Sequence, residues 1–316
     1  MRTRSSTRRW IPPPIRNALT ERPALAALAG AIAIAFSAIL VDLAGVSPST
    51  AAVFRCGYAL PVLGLLAYRE RRRFGAPPAR HWRHATIAGT FFAADLILWH
   101  HAIVNVGAGL ATTLANLQVV LVALAAWMLL GEKPARNVAV AVPLVFTGAV
   151  LISGVIGEGA YGDDPALGAL FGVLTAVAYT GFLLVFRHAN RDLRRPAGPL
   201  FEATLVATIV AIAAGLALGE VDLVPGWPGH GWLLTLALTS QVLGWLLIGV
   251  ALPRLPASLT SIVLTVQPVG SVLLGIVLLG EDPALLQLAG VAVIVAGIVI
   301  ATRRAATPEH AGPVAG

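Results

Sequence analysis

Cysteine is nearly absent from this sequence: Cys56 is the single one in 316 residues. That excludes an intrachain disulfide framework and a multi-cysteine metal centre within the chain. Charge is scarce as well. Asp, Glu, Lys and Arg make up 12% of the residues, against roughly 25% in a soluble domain. With 57% hydrophobic residues, water cannot be the main solvent for such a surface. The sequence also lacks the ~10-residue alternating strands of a membrane barrel. What it has instead are long, uncharged, continuously apolar runs. Only helices and closed barrels satisfy their backbone in lipid, so these runs predict an all-α membrane protein.

Ten runs of about 20 apolar residues, the length that spans a bilayer, lie between polar or Gly/Pro breaks. Their expected limits are 24–43, 49–68, 84–103, 109–130 and 135–156, then 165–187, 198–218, 230–252, 257–279 and 284–302. Residues 1–23 are polar and arginine-rich and read as a cytoplasmic tail, with a second tail at 303–316. The apolar run after Pro23 is longer than the 7–15-residue core of a signal peptide, so it reads as an uncleaved first span.

The basic residues fix an orientation. With the N-terminus inside, every Lys and Arg except Arg55 falls in an inner segment. The outer loops carry Asp42, Glu158, Asp163, Asp164, Glu220, Asp222, Glu281 and Asp282 and no basic residue. This is the positive-inside pattern. It also accounts for the pI of 10.7 through topology and contact with anionic lipid, so no nucleic-acid partner is expected.

The chain is written twice. Residues 104–134 align without a gap on residues 253–283 at an offset of 149. Gln118 falls on Gln267, Leu129-Leu130-Gly131-Glu132 on Leu278-Leu279-Gly280-Glu281, and Pro134 on Pro283. Two units follow, residues 24–157 and 158–302, divided in the acidic loop Gly157–Asp164. Each unit holds five spans. Five is odd, so the second unit enters the membrane upside down. Inverted repeats suit a transporter, because two related halves that exchange conformations interchange inward-open and outward-open states.

These features resemble the EamA-type members of the drug/metabolite transporter superfamily. The resemblance covers about residues 24–302. It rests on the ten-helix plan, Ser47-Pro48, Phe54-Arg55, Gly107-Ala108-Gly109 and the paired Leu-Leu-Gly-Glu-x-Pro ends. It implies movement of small solutes, commonly export of amino acids, related metabolites or toxic compounds. No cofactor is implied, and the sequence contains no Gly-x-x-x-x-Gly-Lys-Ser/Thr loop for ATP.

Ionisable groups within lipid are costly and are functional candidates by default. Arg55 and Asp95 are expected to meet as an intramembrane pair. Either Asp95 carries a proton and Arg55 holds a substrate carboxylate, or the pair is structural. Trp99 shares the helix face of Asp95. His100 and His101 follow, pointing about 100° apart, without the companions a zinc site needs. Gln118 and Gln267 fall near the bilayer midplane, where substrate sites of this architecture lie. Asn116, with Thr112 and Thr113, extends a polar strip. Tyr179 and Gln241, the latter on one face with Trp245, complete the candidates. For the glutamines and Asn116 the alternative is interhelical hydrogen bonding. The fifth and tenth spans carry few polar side chains and read as scaffold or dimer-facing helices.

The expectation is a secondary transporter of small solutes in the cytoplasmic membrane, both termini cytoplasmic, monomeric or homodimeric. Its partners would be lipid, substrate and, if Asp95 or a histidine carries them, protons. A non-transporting assembly or sensor subunit would not need two inverted copies. A lipid-modifying enzyme would need clustered catalytic groups, and the acidic clusters Asp163-Asp164 and Glu281-Asp282 have no His nearby in sequence.

Overall fold

The computed structural model describes residues 23–75, 81–131, 136–189, 195–251 and 257–302. Both tails, Glu132-Lys133-Pro134, Arg191, Arg194 and Arg254 lie outside the described residues. No strand occurs among the described residues. The described residues form ten helices. They are α1 (Pro23–Ala44), α2 (Pro48–Phe74), α3 (His81–Val106), α4 (Ala108–Ala115 and Gln118–Leu130), α5 (Arg136–Ile152), α6 (Pro165–Ala189), α7 (Ala197–Leu218), α8 (Gly229–Ala251), α9 (Ala257–Leu274, continued by the wide turn Gly275–Leu279) and α10 (Leu285–Thr302). Eight are long and apolar enough to cross a membrane, and Arg136–Ile152 and Thr265–Leu279 are shorter apolar helices.

Local chemistry sets the helix ends. Ser47 caps α2, its Oγ accepting from Thr50 N–H at 3.3 Å, with Pro48 at the first helical position. The glycine of the repeated Leu-Leu-Gly-Glu motif has one role in both halves. Gly131 (φ 70°) and Gly280 (φ 70°) are left-handed caps ending α4 and α9.

One expectation is corrected. The fourth span is not a continuous helix over 109–130. It breaks at Asn116 and Leu117, where Leu117, Val119 and Val120 donate to residues three positions back. Such tight turns carry 3.0 residues instead of 3.6, so every side chain beyond the break is rotated out of the phase a continuous helix would give it.

The strongest packing joins the two halves. α3 lies along α6 and, equivalently, α8 along α1; α2 lies along α7, α4 along α9, and α5 along α10. The α5–α10 pair is tight because Gly148 faces Gly290. A Cβ at 148 would lie 2.6 Å from Ile294 Cγ1 and 2.7 Å from the Gly290 carbonyl. Small residues at such crossings let helices gain dispersion contact where lipid offers no hydrophobic drive.

The bundle has two distinguishable ends. Asp42, Glu158, Asp163, Asp164, Glu220, Asp222, Glu281 and Asp282 gather at one, with no Lys or Arg there among the described residues. Arg69, Arg71, Arg72, Arg73, Arg83, Arg136 and Arg195 gather at the other. These are the acidic and basic ends below.

Candidate functional site

A cavity of about 60 Å³ lies midway along the bundle, between the halves. The first half lines it with Ser37 from α1, Arg55 from α2, Phe92, Asp95 and Trp99 from α3, and Thr112 and Asn116 from α4. The second half contributes Tyr179 from α6, Trp245 from α8 and Gln267 from α9. Six of the residues singled out in sequence are thus brought to one surface: Arg55, Asp95, Trp99, Asn116, Tyr179 and Gln267.

Arg55 is the centre of this polar surface. It is 4% exposed. Its Nε donates to Gln241 Oε1 at 3.1 Å, and Gln241 Nε2 donates in turn to Thr204 Oγ1 at 3.2 Å. Gln241 is fully buried and sits in a π-helical stretch of α8, Ala237–Gly244. Wide turns of that kind open a helix and recur at functional sites. The guanidinium carbon lies 5.5 Å from the Trp99 ring centre, within cation–π range. Arg55 Nη1 is buried with no hydrogen-bond partner among the described residues.

The expected Arg55–Asp95 ion pair is not formed. Asp95 is 7% exposed and faces the same cavity, but no salt bridge or hydrogen bond joins it to Arg55 among the described residues. Gln241 occupies the guanidinium edge instead. This neutral partner holds Nε and leaves Nη1 without a hydrogen bond among the described residues.

Gln118 and Gln267 do not form the symmetric pair their alignment suggested. Gln267 lines the cavity, whereas Gln118 is buried elsewhere. The break at Asn116 and Leu117 turns Gln118 away, while α9 runs helically through Gln267 and Pro268. Asn116 Nδ2 donates to the Thr112 carbonyl at 2.8 Å, part of the same break. The two histidines serve the acidic end rather than the cavity. His100 Nδ1 lies 3.0 Å from the Pro48 carbonyl, and His101 Nε2 lies 3.3 Å from Glu220 Oε2. Among the described residues, no group of three or more His, Cys, Asp or Glu converges to hold a metal ion.

Beneath the polar groups is an aromatic wall that sequence reading left largely undetected. Phe92 stacks on Phe182 with ring centres 4.6 Å apart, and Trp245 meets Phe92, Tyr179 and Phe182 edge-on at 5.9, 6.1 and 5.4 Å. Edge-to-face aromatic pairs at these distances are favourable and rigid. The cavity therefore presents one cation, one carboxyl, amides and a flat apolar wall.

Carboxylates tie helix starts to the opposite half. At the basic end Glu70, near the end of α2, accepts from the Ala197 and Gly198 amides of α7 at 3.0 and 2.8 Å. At the acidic end Glu220, just past α7, accepts from Ser49 Oγ of α2 at 3.1 Å. Pro48 and Ala197, the two helix starts, are 149 residues apart, the offset of the repeat. Glu281, just past α9, accepts from the first amides of α4. The acidic end is covered further by the 157–164 loop, where Gln287 Oε1 accepts from Tyr161 N–H at 2.8 Å and Asp164 N–H donates to the Asn105 carbonyl at 3.2 Å. Sequence reading assigned Glu220 and Glu281 to outer loops and did not single out Glu70. The signal that would have found Glu281 is its place in the repeated motif.

The fold is shared with known proteins. A solved structure titled only "Crystal structure of protein" shares the fold, with a TM-score of 0.58 at 18% identity over 89% of this chain and 97% of that one. Among curated proteins, none matches the chain. The family model for "EamA-like transporter family" matches twice, over residues 22–154 and 166–303. With two family units spanning nearly all its helices, the chain belongs to the EamA-like transporter family.

Proposed function

We propose that the protein is a secondary transporter that exports a small zwitterionic solute, an amino acid or a metabolite or drug of like charge, by alternating access of its two halves. One observation carries the substrate side of this reading: a midplane cavity drawn from both halves holds a buried arginine whose Nη1 has no partner. A buried charged donor without a partner costs several kcal/mol, and a substrate carboxylate would satisfy it by a charge-assisted hydrogen bond. Asp95, facing the same space, would receive the substrate ammonium or carry a proton. The aromatic wall suits an apolar side chain. A single cation among neutral groups is poorly matched to a polyanion.

The separation of basic and acidic ends supports an acidic end outside and cytoplasmic termini, in the cytoplasmic membrane. Flux in proteoliposomes, with a panel of amino acids and cationic drugs and with or without an imposed pH gradient, tests the reading. Gradient-dependent flux of a zwitterion is the expected result. Flux of cationic drugs alone would overturn the substrate class, and no flux of any member in a folded preparation would overturn transport.

A further inference from the structure

Glu281 lies in the link between α9 and α10, yet it is only 5% exposed. Its two carboxylate oxygens accept from Ala108 N–H and from Gly109 N–H, the latter at 3.2 Å. These amides open α4, which belongs to the other half. A carboxylate on free amides at a helix start combines charge-assisted bonding with the favourable end of the helix dipole. The contact therefore clamps the end of α9 to the start of α4 over the acidic end of the cavity.

The clamp depends on backbone shape. The chain doubles back after α9, with Glu281 N–H donating to the Gly275 carbonyl at 3.1 Å around the wide turn Gly275–Leu279. A Cβ on Gly275 would overlap Glu281 Oε2, and a Cβ on Gly109 would lie 2.6 Å from Val272 Cα. Both positions must be glycine for the carboxylate to sit where it does. At the repeat offset of 149 the sequence keeps the glutamate, as Glu132, but has Ala126 for Gly275 and Ser258 for Gly109. The glycine seat belongs to the acidic end alone.

We propose that Glu281 is the latch of the acidic-end gate: its carboxyl must leave the Ala108 and Gly109 amides before the cavity can open at that end. The latch rests on the alternating-access reading for its purpose but is tested without any substrate. Cys56 is the only cysteine, so a Cys56→Ala background accepts one reporter thiol. Ala115→Cys places it on α4 in the cavity wall. A membrane-impermeant maleimide is then added to the acidic side of oriented proteoliposomes.

Labelling is slow with the latch intact. Glu281→Ala removes the acceptor, and Gly275→Ala displaces it by a different route. Each raises the acidic-side labelling rate about tenfold or more, the scale of a lost charge-assisted hydrogen bond. Asp282→Ala, which removes an exposed neighbouring charge, leaves the rate unchanged. If Glu281→Ala does not fold, Gly275→Ala is read alone. Unchanged labelling in folded Glu281 and Gly275 variants overturns the latch, as does an equal rise in Asp282→Ala. Faster labelling in a protein that moves no solute keeps the latch and overturns the transport reading.

Discussion

Arg55 Nε and Gln241 Oε1 stand 3.1 Å apart although 186 residues separate them in the chain. The bond crosses from the first half to the second and orients the one guanidinium in the cavity. A neutral amide holds Arg55 by one edge, with Nη1 left for a ligand. The same bond makes the site sensitive to any relative movement of α2 and α8, the movement that the proposed alternating access calls for.

Arg55→Lys keeps the charge but loses the planar fork. Binding of the carboxylate should weaken by about 1.5–3 kcal/mol, the range for a hydrogen bond to a charged group, or about ten- to a hundredfold in KM. Gln241→Ala should weaken it less, because the cation remains but is no longer oriented. Transport kinetics of the single and double variants check this. The double-variant loss should be smaller than the sum of the two single losses, since both act through one group.

Asp95→Asn should abolish dependence of flux on an imposed pH gradient while the protein remains folded. Unaltered gradient dependence would remove Asp95 from coupling. Among the described residues no hydrogen bond or salt bridge holds Asp95, and its interaction with the Arg55 charge acts through space, so Asp95→Asn should leave the packing intact.

Glu281 gives the acidic end a pH dependence. Burial pushes its carboxyl above the ordinary range, the bonds from Ala108 and Gly109 pull it part-way back, and Asp42 adds to the rise. Tyr161 also faces it, its own hydroxyl pushed up by burial and by Glu281. In an opened end the carboxyl would be solvated and ordinary. The closed end therefore binds the proton more tightly, so acid favours closure and this preference fades as pH rises through the raised value. The ratio of acidic-side labelling in the native sequence to that in Glu281→Gln should fall as pH is lowered through the raised value. The ratio cancels the thiol's own titration.

Gly148→Leu should destabilise the α5–α10 seam by about 1–3 kcal/mol through overpacking against Ile294 and the Gly290 carbonyl. Thermal unfolding in detergent checks it. If those helices were a loosely packed face, the midpoint would not move.

The membrane class, the ten spans and the duplication were legible because each rests on a signal summed over many residues. Apolar length, the sorting of basic residues and a gap-free offset of 149 do not depend on any one contact. Cavity-lining residues were legible where a polar group sits in an apolar run, as with Arg55 and Asp95. Three things escaped. Gln118 was misplaced because a helical break at Asn116 leaves no Gly or Pro to mark it. The Arg55–Asp95 pair failed because a neutral amide on a distant helix was the better-placed partner. Glu281 was taken for a loop acid because a six-residue turn back onto α4 cannot be read from hydropathy.

The central claim is that a zwitterion crosses through the cavity that Arg55 organises. Counterflow of a labelled amino acid in proteoliposomes, run with the native sequence and with Arg55→Ala, tests it most directly. The account predicts transient accumulation with the native sequence and none with a folded Arg55→Ala variant. Accumulation that survives the loss of Arg55, or its absence for every zwitterion tried with the native sequence, would contradict it.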